Sequence, residues 1–425
     1  MLDIAFIRNN PEKVKDGIRK KRMKMDIDEL LEVDEKTRSL RTEVENLRAE
    51  RNRISKDIPK LRGEEKDKAV EIVRSIKDGL AEKEPELKLL EDRFEQLMLL
   101  VPNPPMDEVP DGDSDDDNIL VRTFGEPTQF DFTPKDHLEL AESLDILDMP
   151  RAVKFAGARM YVLKNEGALL EFALFKYALD TLYSRGFQPM IVPQLVRREA
   201  MIGTGFFPLG EEDTFFVEKD DLYLIGTAEV SLVSFHMDEI LQEKDLPKRY
   251  CGYSTCFRRE AGSYGRDTRG FYRLHQFNKV EQVTICVNDP EISRSEHFRL
   301  LGNAETIMQG LGLPYRVALA CGAEIGQGQV LKHEIETWMP SRGKYSETHS
   351  CSTLHEFQAR RLKIRWRGSD NKTQYCHTLN NTAVASPRIL IPILENFQNS
   401  DGSVTIPEVL RPLMNGMERI EPKKR

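Results

Sequence analysis

Two heptad ladders in the first hundred residues restrict this chain more than any other feature. Leu30, Val33, Thr37, Leu40, Val44, Leu47, Arg51, Ile54, Ile58 and Leu61 alternate steps of three and four. Gly63 ends that run, and Ala69, Val73, Ile76, Leu80, Lys83, Leu87, Leu90, Phe94 and Leu97 repeat the pattern. Such a repeat draws one narrow apolar stripe along a helix, and a single facing helix buries it. Two ladders joined by a short polar turn therefore predict an antiparallel coiled-coil hairpin. Helices of about 30 to 35 residues would give an arm about 50 Å long. Pro59 and Pro85 fall inside the ladders. Each removes a backbone donor and is expected to kink or interrupt its helix.

A two-stranded arm has too little core to hold a catalytic site, and coiled coils most often serve as dimerisation or spacer elements. Charge points elsewhere. Between Arg48 and Lys77 the tip carries ten basic side chains against six acidic ones, in a chain whose formal net charge is −9. A local positive excess within a negative protein favours contact with a phosphate backbone.

Residues 101–118, VPNPPMDEVPDGDSDDDN, are dominated by proline, glycine and aspartate and read as a linker. The expected division is an N-terminal domain over 1–100, an acidic linker over 101–125 and a large domain over 126–425. With 39% hydrophobic and 31% charged residues, a chain of 425 residues has material for two or three soluble units. No apolar run is long enough to cross a membrane, and the N-terminus lacks a basic-then-apolar leader, so a cytoplasmic location is expected. Cys251, Cys256, Cys286, Cys321, Cys351 and Cys376 show no CxxC spacing. Buried thiols are expected rather than disulfides or a structural zinc site.

Residues 257–281, FRREAGSYGRDTRGFYRLHQFNKVE, concentrate the chemistry. They read as two strands around a polar loop holding Gly262, Gly265, Arg266, Arg269 and Gly270. Alternation would put Arg258 and Glu260 on one face of the first strand, and Phe277, Lys279 and Glu281 on one face of the second, beyond Arg273. Guanidinium groups suit phosphate oxygens, an aromatic ring suits a base, and Glu281 suits an α-ammonium. Phe277 and Glu281 would lie roughly 13 Å apart along the strand, close to the span of an aminoacyl-adenylate from purine to amino group. Ordinary cross-strand ion pairs would explain any one of these residues, but not their matched placement.

This segment resembles motif 2 of the class II aminoacyl-tRNA synthetases, in the wording of the seryl-tRNA synthetases: FRSEAG-x-x-GRDTRG-x-x-R-x-HQF-x-KVE. The resemblance implies an α+β fold, with the two-helix arm followed by a catalytic domain built on an antiparallel β-sheet flanked by helices. Residues 167–186 read as an amphipathic helix, and FQPMIVPQLV, with Pro189 and Pro193, as the next strand. This pair resembles motif 1, which implies a homodimer, and prolines suit an edge or interface strand. HTLNNTAVASPRILIPILENFQ, residues 377–398, resembles motif 3, a strand followed by an arginine that opens a helix. Pro387 would fit the first turn of that helix, and Pro392 would kink it.

LIGTAEVSL places Thr227 and Glu229 two apart on a predicted strand, where hydroxyl and carboxylate can hold a small polar amino acid. KYSETHSCS supplies Glu347 and Ser350, oxygen ligands suited to Mg²⁺. The resemblance implies ATP contacts from Arg258, Arg259, Glu260, Arg273, Phe277, Glu347, Thr348, His349, Ser350 and Arg388, with Arg388 stacking on adenine opposite Phe277. His349 reads as packing rather than as a metal ligand. Serine would meet Thr227, Ala228, Glu229, Arg258, Glu281, Asn380 and Thr382. Many family members read Asn-Gly-Ser-Gly where this chain has Asn380, Asn381, Thr382 and Ala383, so the pocket wall departs from the pattern.

The implied activity is ATP-dependent attachment of L-serine to tRNA(Ser), and to tRNA(Sec) where present, through a seryl-adenylate. Arg258, Glu260 and Arg388 would be the catalytic groups, and the arm would grip the tRNA. Two alternatives are a related ligase that charges a carrier protein, which would have no use for a basic arm, and a non-catalytic RNA-binding paralogue. The paralogue should have lost Arg258, Glu281 or Arg388, and all three are present. No GxxxxGK[ST] loop occurs, which excludes a P-loop nucleotide site.

Overall fold

Asp26 starts the first arm helix by accepting hydrogen bonds from the backbone N–H groups of Asp28 and Glu29, donors that a helix start leaves open. The computed structural model describes residues 1–261 and 270–423. The loop positions Gly262, Gly265, Arg266 and Arg269 lie outside them. Helix α1 spans Ile27–Asp57 and α2 spans Glu64–Leu100. The ladder positions meet: Leu40, Val44, Ile76, Leu80 and Leu87 are buried together, with Leu47, Ile54 and Leu90 against them. Ion pairs running in opposite order fix the antiparallel sense. Glu29 meets Arg93, Arg41 meets Glu91 at 2.8 Å, and Arg48 meets Glu84 at 2.8 Å. Gly63 turns the corner with φ +57°, a conformation that costs glycine nothing in Cβ clash.

Only Pro59 interrupts its ladder, whose last positions Ile58 and Leu61 fall beyond the helix end. Pro59 lies past the end of α1, in the 3₁₀ turn Ile58–Lys60, and so helps to stop the helix. Helix α2 continues through Pro85. That ring is on the exposed face, where water can hydrate the carbonyl that loses its partner.

The chain divides into two compact units, one of residues 1–19 and 23–102, the other of Lys20–Arg22 and the chain from Asn103 onward. At the base of the first, Ile7, Val14, Ile18, Ile27, Leu30, Leu97, Met98 and Val101 form a core. In the second, the stretch read as a linker carries ordered structure from Asn103. The Asn103 amide donates to the carbonyls of Gly328 and Leu354 at 3.0 Å, and Val109 is buried with Leu319, Ile325 and Leu331. Its aspartates are engaged as well. Asp111 and Asp113 pair with Arg22 at 2.9 and 2.6 Å, and Asp117 accepts from the Asp113 N–H at 2.7 Å.

The second unit is built on one eight-stranded sheet. Its strands are β1 (Ile119–Phe124), β2 (Gln188–Ile191), β3 (Lys248–Phe257), β4 (Gln276–Cys286), β5 (Tyr315–Leu319), β6 (Leu331–Met339), β7 (Lys344–His355) and β8 (His377–Ser386). The order across the sheet is β1-β5-β6-β7-β8-β4-β3-β2. Neighbours are antiparallel except the edge pair β2 and β3, which is parallel. Pro189 therefore sits on an edge, where a missing donor is tolerated. The predicted strand beyond it is shorter than expected: β2 ends at Ile191, and Pro193 lies in the loop before the two-residue strand Leu195–Val196.

Helices α3 (Asn165–Ser184), α4 (Glu229–Ser234), α5 (Pro290–Leu311), α6 (Phe357–Leu362) and α7 (Leu390–Asn396) flank the sheet. The main core joins Leu170, Leu174, Ala178 and Leu182 of α3 with Leu300, Leu301, Ala304 and Met308 of α5 and with Val280, Cys351 and Leu379 of the sheet. All six cysteines are buried. Helix α7 starts later than predicted, so Pro387 and Arg388 belong to the turn before it. Pro392 consequently falls in the first helical turn, where its missing N–H has no intrahelical acceptor to lose, and no kink is needed.

Candidate active site

Two one-residue bulges shape the cleft. Ile335 of β6 faces His349 of β7, but the next residue, Glu336, faces Glu347, leaving Thr348 as the extra residue. In plain alternation Glu347 and Ser350 would point to opposite faces; the inserted residue turns both toward one. Strand β8 does the same. Thr382 faces Glu281 and Val384 faces Val280, so Ala383 is the extra residue and both Thr382 and Ala385 reach the cleft.

The cleft holds a cavity of about 220 Å³. Arg258, Glu260, Arg273, Phe277, Glu347, Thr348, His349, Ser350, Thr382 and Arg388 all line it. Arg258 and Glu260 do not reach it from a strand, however. Strand β3 ends at Phe257, and Asp213 draws the chain off the sheet by accepting from the N–H groups of Arg259 (2.8 Å) and Ala261 (2.7 Å). Glu260 takes φ +54°, and its carboxylate pairs with the Arg273 guanidinium, which lies before β4 rather than on it. Arg259 is not brought to the cleft; its guanidinium lies over Phe215, 5.9 Å from the ring centroid.

Cations cover both aromatic faces. Arg258 lies over Phe277 at 5.1 Å and donates from Nε to the Gly226 carbonyl at 3.3 Å. Arg388 lies over Tyr272 at 4.3 Å, and its Nη1 is 3.5 Å from Glu347 Oε2. Burial would raise the Glu347 carboxyl, but Arg388, Lys332 and Arg258 outweigh it and hold the group below its ordinary range. Burial pushes His349 down to about 4, so it is neutral at pH 7 and fits the packing role.

Behind Thr382 and Lys279, which line the cleft, lies a buried polar cluster. Glu281 is buried, and its Oε2 accepts from Thr227 at 3.3 Å, from Thr382 at 3.4 Å and from the Lys279 ammonium. Thr227 and Glu229 are not on a strand. The Thr227 hydroxyl accepts from the Glu229 N–H at 3.3 Å, a local turn that opens α4, with the buried Ala228 between them. Glu229 Oε1 accepts from Asn380 at 2.7 Å and from Gln358 at 2.8 Å. Desolvation, with Glu281 nearby, pushes the Glu229 carboxyl up to about 7.

Residues 214–397 match the description "tRNA synthetase class II core domain (G, H, P, S and T)", and residues 1–105 match "Seryl-tRNA synthetase N-terminal domain". A serine–tRNA ligase of Deinococcus radiodurans is 46% identical over 418 residues, 98% of each chain. The chain belongs to the seryl-tRNA synthetase family. A serine–tRNA ligase of Dictyoglomus turgidum is 45% identical over the full length of both chains. Among solved seryl-tRNA synthetases, that of Pyrococcus horikoshii complexed with ATP superposes with a TM-score of 0.92 at 39% identity, covering 100% of each chain. The cytoplasmic enzyme of Naegleria fowleri in complex with AMP gives 0.86 at 30% identity. The α+β architecture is thus that of the seryl-tRNA synthetase family, with its class II core.

Within that family fold, two contributors lie outside the residues singled out in the sequence. Tyr272 supports Arg388 with its ring and donates its hydroxyl to the Glu347 carbonyl at 2.9 Å. Gln358 on α6 bridges Glu229 and Thr378, whose hydroxyl donates to Gln358 Oε1 at 2.7 Å. Tyr272 lay inside the motif 2 segment and could have been singled out there; nothing around Gln358 signals its role.

Proposed function

We propose that this chain activates L-serine with ATP and transfers it to tRNA(Ser). The observation that carries the proposal is the adjacency of two parts: a cleft, cationic and aromatic at Arg258, Phe277 and Arg388, and behind its lining residues Thr382 and Lys279 the buried polar cluster of Glu281 and Thr227. A nucleotide suits the first part. A small zwitterion with a hydroxyl suits the second.

In this reading Arg258, Glu260, Arg273, Phe277 and Arg388 hold ATP, while Thr227, Glu229, Glu281, Asn380 and Thr382 hold serine. A serine carboxylate oxygen bonds to the α-phosphorus, and the bond to the pyrophosphate oxygen breaks. Arg258 offsets the charge that grows on the α-phosphate, and the work is chiefly positioning and electrostatics. Glu347 and Ser350 fit a hard cation: the bulge turns both oxygens toward the cleft, and Glu347 is held ionised by its neighbours. Mg²⁺ bound there would screen the phosphate oxygens and favour departure of pyrophosphate.

Residues 1–100 form the tRNA-binding domain in this reading and 126–425 the catalytic one, joined through 101–125, in a cytoplasmic homodimer. The exposed apolar residues Leu169 and Phe172 of α3 and Ile191 of β2, the last 93% exposed, support a subunit interface there. Ile191→Glu should then shift the sedimenting species from dimer to monomer.

The test of the tRNA assignment is charge reversal at Lys56, Arg62, Lys66 and Lys68 on the exposed arm tip. Serine-dependent ATP–pyrophosphate exchange should persist while tRNA(Ser) affinity falls, with the salt slope dropping by about one for each phosphate contact removed. Unchanged tRNA binding would remove the arm from the account.

A further inference from the structure

We infer that Lys279 is a further substrate-binding residue, whose ammonium occupies Glu281 until serine displaces it and then lies against the serine carboxylate and the α-phosphate. The inference rests on the serine-activation reading above.

Position is the first argument. Phe277, Lys279 and Glu281 share one face of β4, so Lys279 stands midway, roughly 6.6 Å along the strand from each. It lines the cleft, and Glu281 lies behind it. An amino acid bound to Glu281 and reacting with a nucleotide stacked on Phe277 would carry its carboxylate across this midpoint.

Occupancy is the second. Lys279 is only 6% exposed, and a buried ammonium needs a partner, which Glu281 supplies. The same oxygen, Oε2, also accepts from Thr227 and Thr382. An incoming ammonium meets an acceptor already surrounded by three donors. Lys279 is the one of the three that an ammonium can replace in kind, charge for charge. Both threonines sit on backbone fixed by other bonds, whereas a lysine stem has four rotatable carbons.

Charge balance is the third. Serine arrives as a zwitterion. If its ammonium takes Glu281 and its carboxylate takes Lys279, two new buried pairs replace one and no charge is stranded, which lowers the cost of desolvating the substrate. During activation one carboxylate oxygen bonds to the α-phosphorus, and the bond from phosphorus to the pyrophosphate oxygen breaks. Pyrophosphate leaves with that electron pair. Lys279 keeps its proton throughout, and its charge follows the negative charge from the carboxylate toward the phosphate.

The experiment compares serine with serinol, which keeps the ammonium and hydroxyl but replaces the carboxylate with a hydroxymethyl group. Calorimetric Kd values are measured on the full-length protein, on Lys279→Gln and Lys279→Met, and on the charge-conserving Lys279→Arg. The wild type should prefer serine. In the glutamine and methionine variants that preference should fall by about tenfold or more, the scale of one charge-assisted hydrogen bond. Lys279→Arg should retain most of it. Equal weakening of serine and serinol would mean that Lys279 only props up Glu281, and would overturn the inference. A wild type that binds neither compound would instead overturn the serine reading itself. Thermal unfolding of each variant identifies any that fails to fold, and the remaining neutral variant then carries the comparison.

Discussion

Glu347 and Ser350 stand three apart on β7 yet open on the same cleft, because Thr348 is the extra residue of a bulge. If the two hold Mg²⁺ together, Ser350→Ala should raise the Mg²⁺ needed for half-maximal pyrophosphate exchange by about tenfold, the scale of one lost contact to a charged group. Deleting Thr348 should do more, since restored alternation sends one ligand to the other face. A Mg²⁺ titration of exchange activity distinguishes the variants. An unchanged midpoint in Ser350→Ala would remove that residue from the metal site.

Thr382 forms the wall where this chain departs from the usual motif 3 wording, and its hydroxyl reaches Glu281 at 3.4 Å. In the proposed reading its methyl group would take up space that the side chain of threonine, as substrate, needs. Thr382→Gly should therefore improve kcat/KM for threonine relative to serine by about 10-fold or more, the worth of a methyl-sized volume in a pocket. Steady-state exchange with both amino acids measures the ratio. A ratio that does not move would place threonine rejection elsewhere.

Glu229 gives a pH signature. Its folded-state carboxyl titrates at about 7 against an ordinary value of 4.5, so between those pH values the folded chain holds a proton that the unfolded chain has released. Stability contributed by that proton is complete at low pH and is lost as pH rises through the window. Relative to Glu229→Gln, the wild type should lose up to about 3 kcal/mol between pH 4.5 and 7, at 1.36 kcal/mol per pH unit. Urea denaturation of both proteins from pH 4.5 to 8 measures this difference. Parallel curves would contradict the raised titration.

The arm was legible in its seam: every heptad position from Leu30 to Leu97 is buried or half-buried, because a coiled coil is decided by local periodicity. The cleft was legible as a set of residues but not as a shape. Thr227 and Glu229 alternate like a strand, yet a hydroxyl two residues back gives the Glu229 N–H a closer partner and starts α4 instead. Arg258 and Glu260 also alternate, but Asp213, some 45 residues earlier in the chain, holds their segment away from the sheet. Both bulges escaped notice for a related reason. An extra residue in a strand is defined only by its partner strand, and pairing register is absent from a single sequence. Arg388 is legible only through the motif 3 resemblance, and the ring of Tyr272 beneath it follows from tertiary packing that the segment does not encode.

The most direct measurement is ATP–pyrophosphate exchange by the purified full-length protein with serine, alanine, threonine and glycine in parallel. Buried polar groups around Glu281 and Glu229 would be left unpaired by a substrate without a hydroxyl, so alanine should fall far below serine, by about 10⁴-fold. Threonine and glycine should also be poor, and Glu281→Ala should abolish the serine signal. Exchange that is independent of serine, or equal for serine and alanine, would contradict the account.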